Sequence, residues 1–164
     1  MAKEKITFEQ FFEVVDAENK PFVQDLHNFM MVSGCKVSFE EKKIGYLASY
    51  KYGKPPKSVM NFVFRKHGML TRIYGEHNNN YADFLNTLPA EMVAAIGNAG
   101  DCRPCSTKCK GYSFTIDDAH FQKCRYNCFE FLMTGETNPF IKSFVEHELQ
   151  ARMPATASKS GGHA

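Results

Sequence analysis

The spacing of apolar and polar positions changes several times along this chain, and each change marks an element. Phe8, Phe11, Phe12 and Val15 recur at i, i+3, i+4 and i+7, which predicts a helix over 8–17 with one apolar face. Thr7 and Gln10 form a capping box ahead of it. Pro21 suits the first turn of a second helix whose inward stripe is Phe22, Leu26, Phe29 and Met30, ending at Ser33-Gly34. His27 on that helix reads as a surface or half-buried side chain with no role. From Cys35, itself read as a small buried apolar group, the period becomes two. Val37 and Phe39, then Ile44, Tyr46, Ala48, Tyr50 and Tyr52, predict a hairpin turning at Glu41-Lys42. After the breaker-rich KYGKPPK, the stretch 58–75 predicts a second hairpin turning at His67-Gly68. One of its faces is apolar through Met60, Phe62 and Phe64, and the other is mixed through Asn61, Val63 and Arg65.

In the second half, Asn78-Asn79-Asn80 supplies caps for a helix containing Tyr81, Phe84, Leu85 and Leu88. Pro89 ends it and opens another, through Met92, Val93 and Ile96 to a Gly97 terminator. Tyr112, Phe114 and Ile116 alternate up to an Asp117-Asp118 turn, and HFQKCRY and CFEFLMT read as two further strands or one bent one. Asn138-Pro139 starts a last helix with Phe140, Phe144, Val145 and Leu149 inward. The sum is an α+β domain over 1–153: antiparallel hairpins whose helices cover one face of a sheet, or of two pseudo-related sheets, because the two halves have similar element order. The small, polar stretch 154–164 reads as a disordered tail.

Composition narrows the function classes. At 164 residues the chain can build one substantial core, and with 15 Phe, 7 Tyr and no Trp that core is Phe-rich. A formal net charge of +2 provides no strongly basic block to track a phosphate backbone, which disfavours a dedicated nucleic-acid binder. The residues for such a role would be Lys51, Lys54, Lys57 and the basic residues of the cysteine loop. No stretch has signal-peptide character or the length of a membrane span, so the expectation is a cytoplasmic protein without membrane partners.

The sharpest chemical signal is DCRPCSTKCKGYSFTIDDAHFQKCRYNC, which holds five of the six cysteines. In a reducing compartment, clustered cysteines point to metal ligands or reactive thiols rather than disulfides. Cys102, Cys105 and Cys109 share one loop, and Cys124 returns from a following strand, so four thiolates converge on a tetrahedral ion. Structural zinc fits this set first. An iron–sulfur cluster comes second, because the spacing matches neither standard ferredoxin pattern. Cys128 is the substitute ligand for Cys124. On one regular strand the two lie about 13 Å apart, so one ion holds both only if the chain bends. His120 reads as a polar turn residue rather than a ligand. Lys123-Cys124-Arg125 offers charge to a reactive thiol, but neighbours in a strand face opposite ways, and no histidine is paired with it.

A further set carries recognition chemistry. Arg65 and Arg72, sharing the mixed face beside Tyr74, can bind a carboxylate or phosphate, and Tyr112, Arg125 and Tyr126 add aromatic walls and donors. The segments GYSF, QKCRYNCFEF, NPFIKSFVEHEL, NFVFRKHGMLTRIYG and FLNTLP, over about 43–152, resemble a group of uncharacterised cysteine-rich small proteins of anaerobic bacteria. In element order the chain is also similar to the MmcQ/YjbR-like and GyrI-like α+β domains, some of which bind small molecules or serve regulators. The first resemblance implies no activity, and the second carries over no residue. The expectation is therefore a non-catalytic, metal-stapled module that binds a small ligand or protein partner. A thiol enzyme or redox sensor acting through Cys124 or Cys128 is the alternative, and a nucleic-acid binder the third.

Overall fold

Alternation fixes two faces on every strand, and the pairing register stacks like positions into rows. A computed structural model describes residues 5–66, 68–75, 77–98, 112–116, 119–123 and 128–153, with the side chains of 112, 113, 122 and 123 left aside. Five strands lie antiparallel in the order β1 (Lys36–Glu41), β2 (Tyr46–Tyr52), β3 (Lys57–Arg65), β4 (Gly68–Ile73), β7 (Phe129–Leu132). β5 (Tyr112–Ile116) and β6 (Ala119–Lys123) pair separately as a two-stranded ribbon.

One row across the sheet reads Phe39, Ala48, Phe62, Thr71, Phe131. This face is covered. From α1 (Phe8–Glu13), Phe11 meets Phe39, Phe62 and Phe64 with ring centroids at 5.4, 6.0 and 5.7 Å. α2 (Lys20–Val32) inserts Val23, Leu26 and Met30, and its His27 Nδ1 lies 2.7 Å from the Tyr50 hydroxyl. From α5 (Asn138–Arg152), Phe144 packs on Phe129 and Phe131. Phe84 of α3 (Ala82–Leu85) packs on Phe144, and Met92 and Ile96 of α4 (Ala90–Asn98) enter the same core. The ribbon joins this layer, with Phe114 stacked on Phe121 and packed against Phe129. The expected α+β arrangement, helices over one sheet face, is the observed one.

A buried carboxylate ties α5 to the loop before α3. Glu148, 0% exposed, accepts from the His77 backbone N–H (3.0 Å), His77 Nδ1 (2.8 Å), the Tyr81 hydroxyl (2.5 Å) and Arg152 Nε (2.7 Å). Arg152 then donates to the Ser58 and Tyr74 carbonyls at 2.7 Å each, so α5 is pinned to the start of β3 and the end of β4. Four donors on one carboxylate offset its loss of water, which a lone partner does not do.

Local detail departs from the sequence reading in four places. α1 stops at Glu13, and Ala17–Asn19 forms a 3-10 turn instead of extending the helix to residue 17. The first hairpin turns over Lys42 to Gly45, not at Glu41-Lys42: Lys42 N–H donates to the Gly45 carbonyl at 3.0 Å, and Gly45 takes φ +61°, which favours glycine. Ile44 therefore sits in the turn rather than in the strand. The Asn78–Tyr81 segment is a 3-10 turn with no side-chain cap, its Tyr81 hydroxyl directed to Glu148. Gly97 lies inside α4 instead of ending it. The stretch 154–164 lies outside the described residues. No helix among the described residues is long and apolar enough to cross a membrane.

Candidate functional site

The opposite face of the five-stranded sheet carries the row Ser38, Ser49, Asn61, Arg72, Glu130, and beside it Glu40, Leu47, Val63, Leu70, Leu132. The helix contacts described above all fall on the covered face, and Leu132 on this one is 47% exposed. Two of the expected binding residues meet here. Arg72 Nε donates to Glu130 at 2.6 Å, and Arg65 approaches the same carboxylate oxygen at 3.6 Å. Burial works against the Arg72 charge, but the hydrogen bond and the charge of Glu130 outweigh it and raise the guanidinium pKa. One carboxylate thus faces two guanidinium groups, and the arginine pair keeps a net positive charge.

Beside this pair lies a groove of about 380 Å³ lined by Lys42, Lys43, Ile44, Tyr46, Leu47, Val63, Phe64, Arg65 and Arg72. Its rim is cationic and its walls are aliphatic and aromatic. The β1–β2 turn folds against Phe64, so closely that a Cβ on Gly45 would lie 2.5 Å from that ring. Lys42 is engaged with Glu40 at 3.0 Å in an exposed pair, which such pairing holds only weakly.

Tyr74, the third expected residue, stands beyond Arg72 along the chain. Its hydroxyl accepts from Asn61 Nδ2 at 3.1 Å and is hydrogen-bonded to the Cys128 thiol. Asn61 is 4% exposed, and its Oδ1 finds no donor among the described residues. Burial raises the Cys128 pKa, more than the nearby Arg72 charge lowers it, and the Tyr74 hydroxyl is raised chiefly by burial as well. At neutral pH Cys128 is therefore a thiol, whereas a nucleophile needs the thiolate.

Tyr112 opens β5, in the ribbon packed with the helices, so its strand belongs to the other layer from Arg65 and Arg72. Arg125 and Tyr126 lie outside the described residues, as do the expected metal ligands Cys102, Cys105, Cys109 and Cys124. β6 as described ends at Lys123 and β7 begins at Phe129 in a different sheet, so these segments are two strands rather than one bent one. Among the described residues no group of three or more His, Cys, Asp or Glu is placed to hold a metal ion. The sequence reading missed Lys42, Lys43, Leu47 and Glu130. Glu130 left a signal, since it is the polar position between Phe129 and Phe131 in an otherwise apolar alternation.

On the covered side, His27 and Tyr50 make a second polar contact. Burial holds Tyr50 far above the ordinary tyrosine range and lowers His27 below its ordinary 6.5. The hydroxyl is therefore the donor and a neutral imidazole Nδ1 the acceptor, at the rim of the core where His27 is half-buried and lines a pocket with Phe8, Phe12 and Gln24.

Fold and site together define an α+β domain whose described helices cover one sheet face, while the other carries a cationic, apolar-walled groove beside the buried Asn61 and Val63. Comparison of the chain with protein-family models, with curated proteins and with solved structures finds no match, so its functional reading rests on the chemistry of this face.

Proposed function

We propose that this protein is a non-catalytic binding module of the cytoplasm whose open sheet face takes an anionic ligand with an apolar portion, either a small molecule or an acidic segment of a partner. The supporting observation is the groove: Arg65, Arg72, Lys42 and Lys43 surround Ile44, Leu47, Val63 and Phe64, with Glu130 the carboxylate against the arginines. Guanidinium groups bind carboxylate or phosphate through paired donors, and aliphatic walls bury a tail. In this reading a structural zinc on Cys102, Cys105, Cys109 and Cys124 staples the segment between α4 and β7 and supplies no chemistry, an iron–sulfur cluster being the second choice for the same thiolates.

Calorimetric titration with octanoate, inorganic phosphate and a single-stranded oligonucleotide separates the readings. Octanoate binding that Arg65→Gln weakens by about tenfold, the loss of one charge-assisted contact, supports the module. Oligonucleotide binding that falls steeply with salt supports a nucleic-acid surface instead. Elemental analysis of the purified protein and thiol titration with and without chelator test the staple. Four thiols protected per metal are expected, and one fast-reacting thiol without metal would favour the thiol enzyme or sensor.

A further inference from the structure

β1 is an edge of the sheet: it pairs with β2 on one side, and no described strand pairs with it on the other. A cavity of about 720 Å³ is lined by five consecutive residues of this strand, Val37 to Glu41, together with Lys5 and Ile6 ahead of α1. Because consecutive residues point to alternate faces, a cavity touching all five follows the strand's backbone edge rather than either face. An edge of this kind presents backbone donors and acceptors to another strand.

The sequence of the edge says which strand fits. In antiparallel pairing, residues directly opposite share a face, so a two-fold axis through Ser38 sets Lys36 opposite Glu40, Val37 opposite Phe39 and Ser38 opposite itself. Both charge pairs are then attractive and both apolar pairs fall on the covered side. The register centred on Phe39 instead sets Val37 opposite Glu41 and Ser38 opposite Glu40, losing both kinds of complementarity.

The chain also leaves a repulsion for that partner to relieve. Within the sheet Lys36 stands opposite Lys51 on the open face, and neither makes an ion pair among the described residues. Like charges directly opposite each other are destabilising, and an incoming Glu40 beside Lys36 compensates. We propose that the protein forms a two-fold dimer by β1–β1 pairing in the Ser38-centred register, making one ten-stranded sheet.

Since direct pairs share a face, the two open faces lie on the same side of this sheet. The two β3 strands stand about 24 Å apart, five spacings of about 4.8 Å. The dimer thus presents both Arg65–Arg72 grooves to one surface or to one divalent partner.

Sedimentation velocity on the full chain, over a hundredfold range of concentration, tests this. Wild type is expected to dimerise. Lys36→Glu and Glu40→Lys each place like charges opposite at two symmetric positions and weaken association by about tenfold or more, while the double swap Lys36→Glu/Glu40→Lys restores it. Both side chains are exposed, so circular dichroism of the variants is expected to match wild type. A wild type monomeric throughout overturns the proposal. So does a dimer indifferent to the single reversals, and so does failure of the double swap to restore association. The reading of the groove is independent of this result, since octanoate titration reports on each protomer.

Discussion

The two faces of one sheet are built from the same strands with opposite economies. On the covered face, Phe39, Phe62 and Phe131 share rows with Ala48 and Thr71, and rings from α1 and α5 fill the space above them. On the open face, the residues one position along are Asn61, Arg72 and Glu130 in one row and Leu47, Val63, Leu70 and Leu132 in the other. The first face removes apolar surface from water beneath the helices, and the second leaves Arg65, Arg72 and Leu132 partly exposed around a buried Asn61 and Val63. A residue's distance from its neighbour in sequence is the same on both. Its energetic role is set by which side the helices took.

The contrast is sharpest at neighbouring ring and aliphatic positions. Phe62→Ala on the covered face is expected to cost about 3–5 kcal/mol in urea unfolding, because the rings of Phe11 and Tyr50 around it cannot all close on the space. Leu132→Ala on the open face is expected to stay within about 0.5 kcal/mol of wild type. Equal losses would mean that the open face is packed as a core.

Alkaline pH probes the same division through its titratable groups. Burial raises Cys35, at the start of the sheet, from an ordinary 9.0 to about 11. A folded state that holds this proton longer than the unfolded chain is fully favoured below pH 9 and loses that advantage as pH rises toward 11, by on the order of 2 kcal/mol. Cys35→Ala is expected to flatten the fall of denaturation midpoint across that window. An unchanged slope would assign the loss to other groups, such as Tyr50 and Cys128, whose values are also raised by burial. At the acid end the sign reverses: His27, lowered by burial, favours the folded state above pH 6.5 and ceases to do so below it.

An effect between those of Phe62→Ala and Leu132→Ala is expected where the two faces meet. Gly45→Ala forces a Cβ onto a backbone at φ +61° and onto the Phe64 ring, which touches Phe11 on one side and lines the groove on the other. A cost of about 1–2 kcal/mol is expected from the backbone alone. The displaced ring should also weaken octanoate binding in the same calorimetric titration. Stability loss without any change in binding would detach the groove from the turn.

Much of this was legible in local pattern. The capping box at Thr7 and Gln10 forms as read, Asn138-Pro139 opens α5, and the alternation of Met60, Phe62 and Phe64 against Asn61, Val63 and Arg65 separates the two faces before any pairing is known. These are short-range facts, because helix and strand periods are set within a few residues. Arg65 and Arg72 were readable as a pair for the same reason: one hairpin joins them.

Tertiary structure alone decided what stands beside them. Glu130 reaches Arg72 across 58 residues of sequence, and Glu148 reaches His77 and Tyr81 across 71 and 67, because β7 adds to the edge of β4 and α5 packs on β7 through Phe144. Nothing local encodes which strand takes a free edge. That choice follows from how helices and strands together bury the Phe-rich surface, a property of the whole chain that no window of it contains.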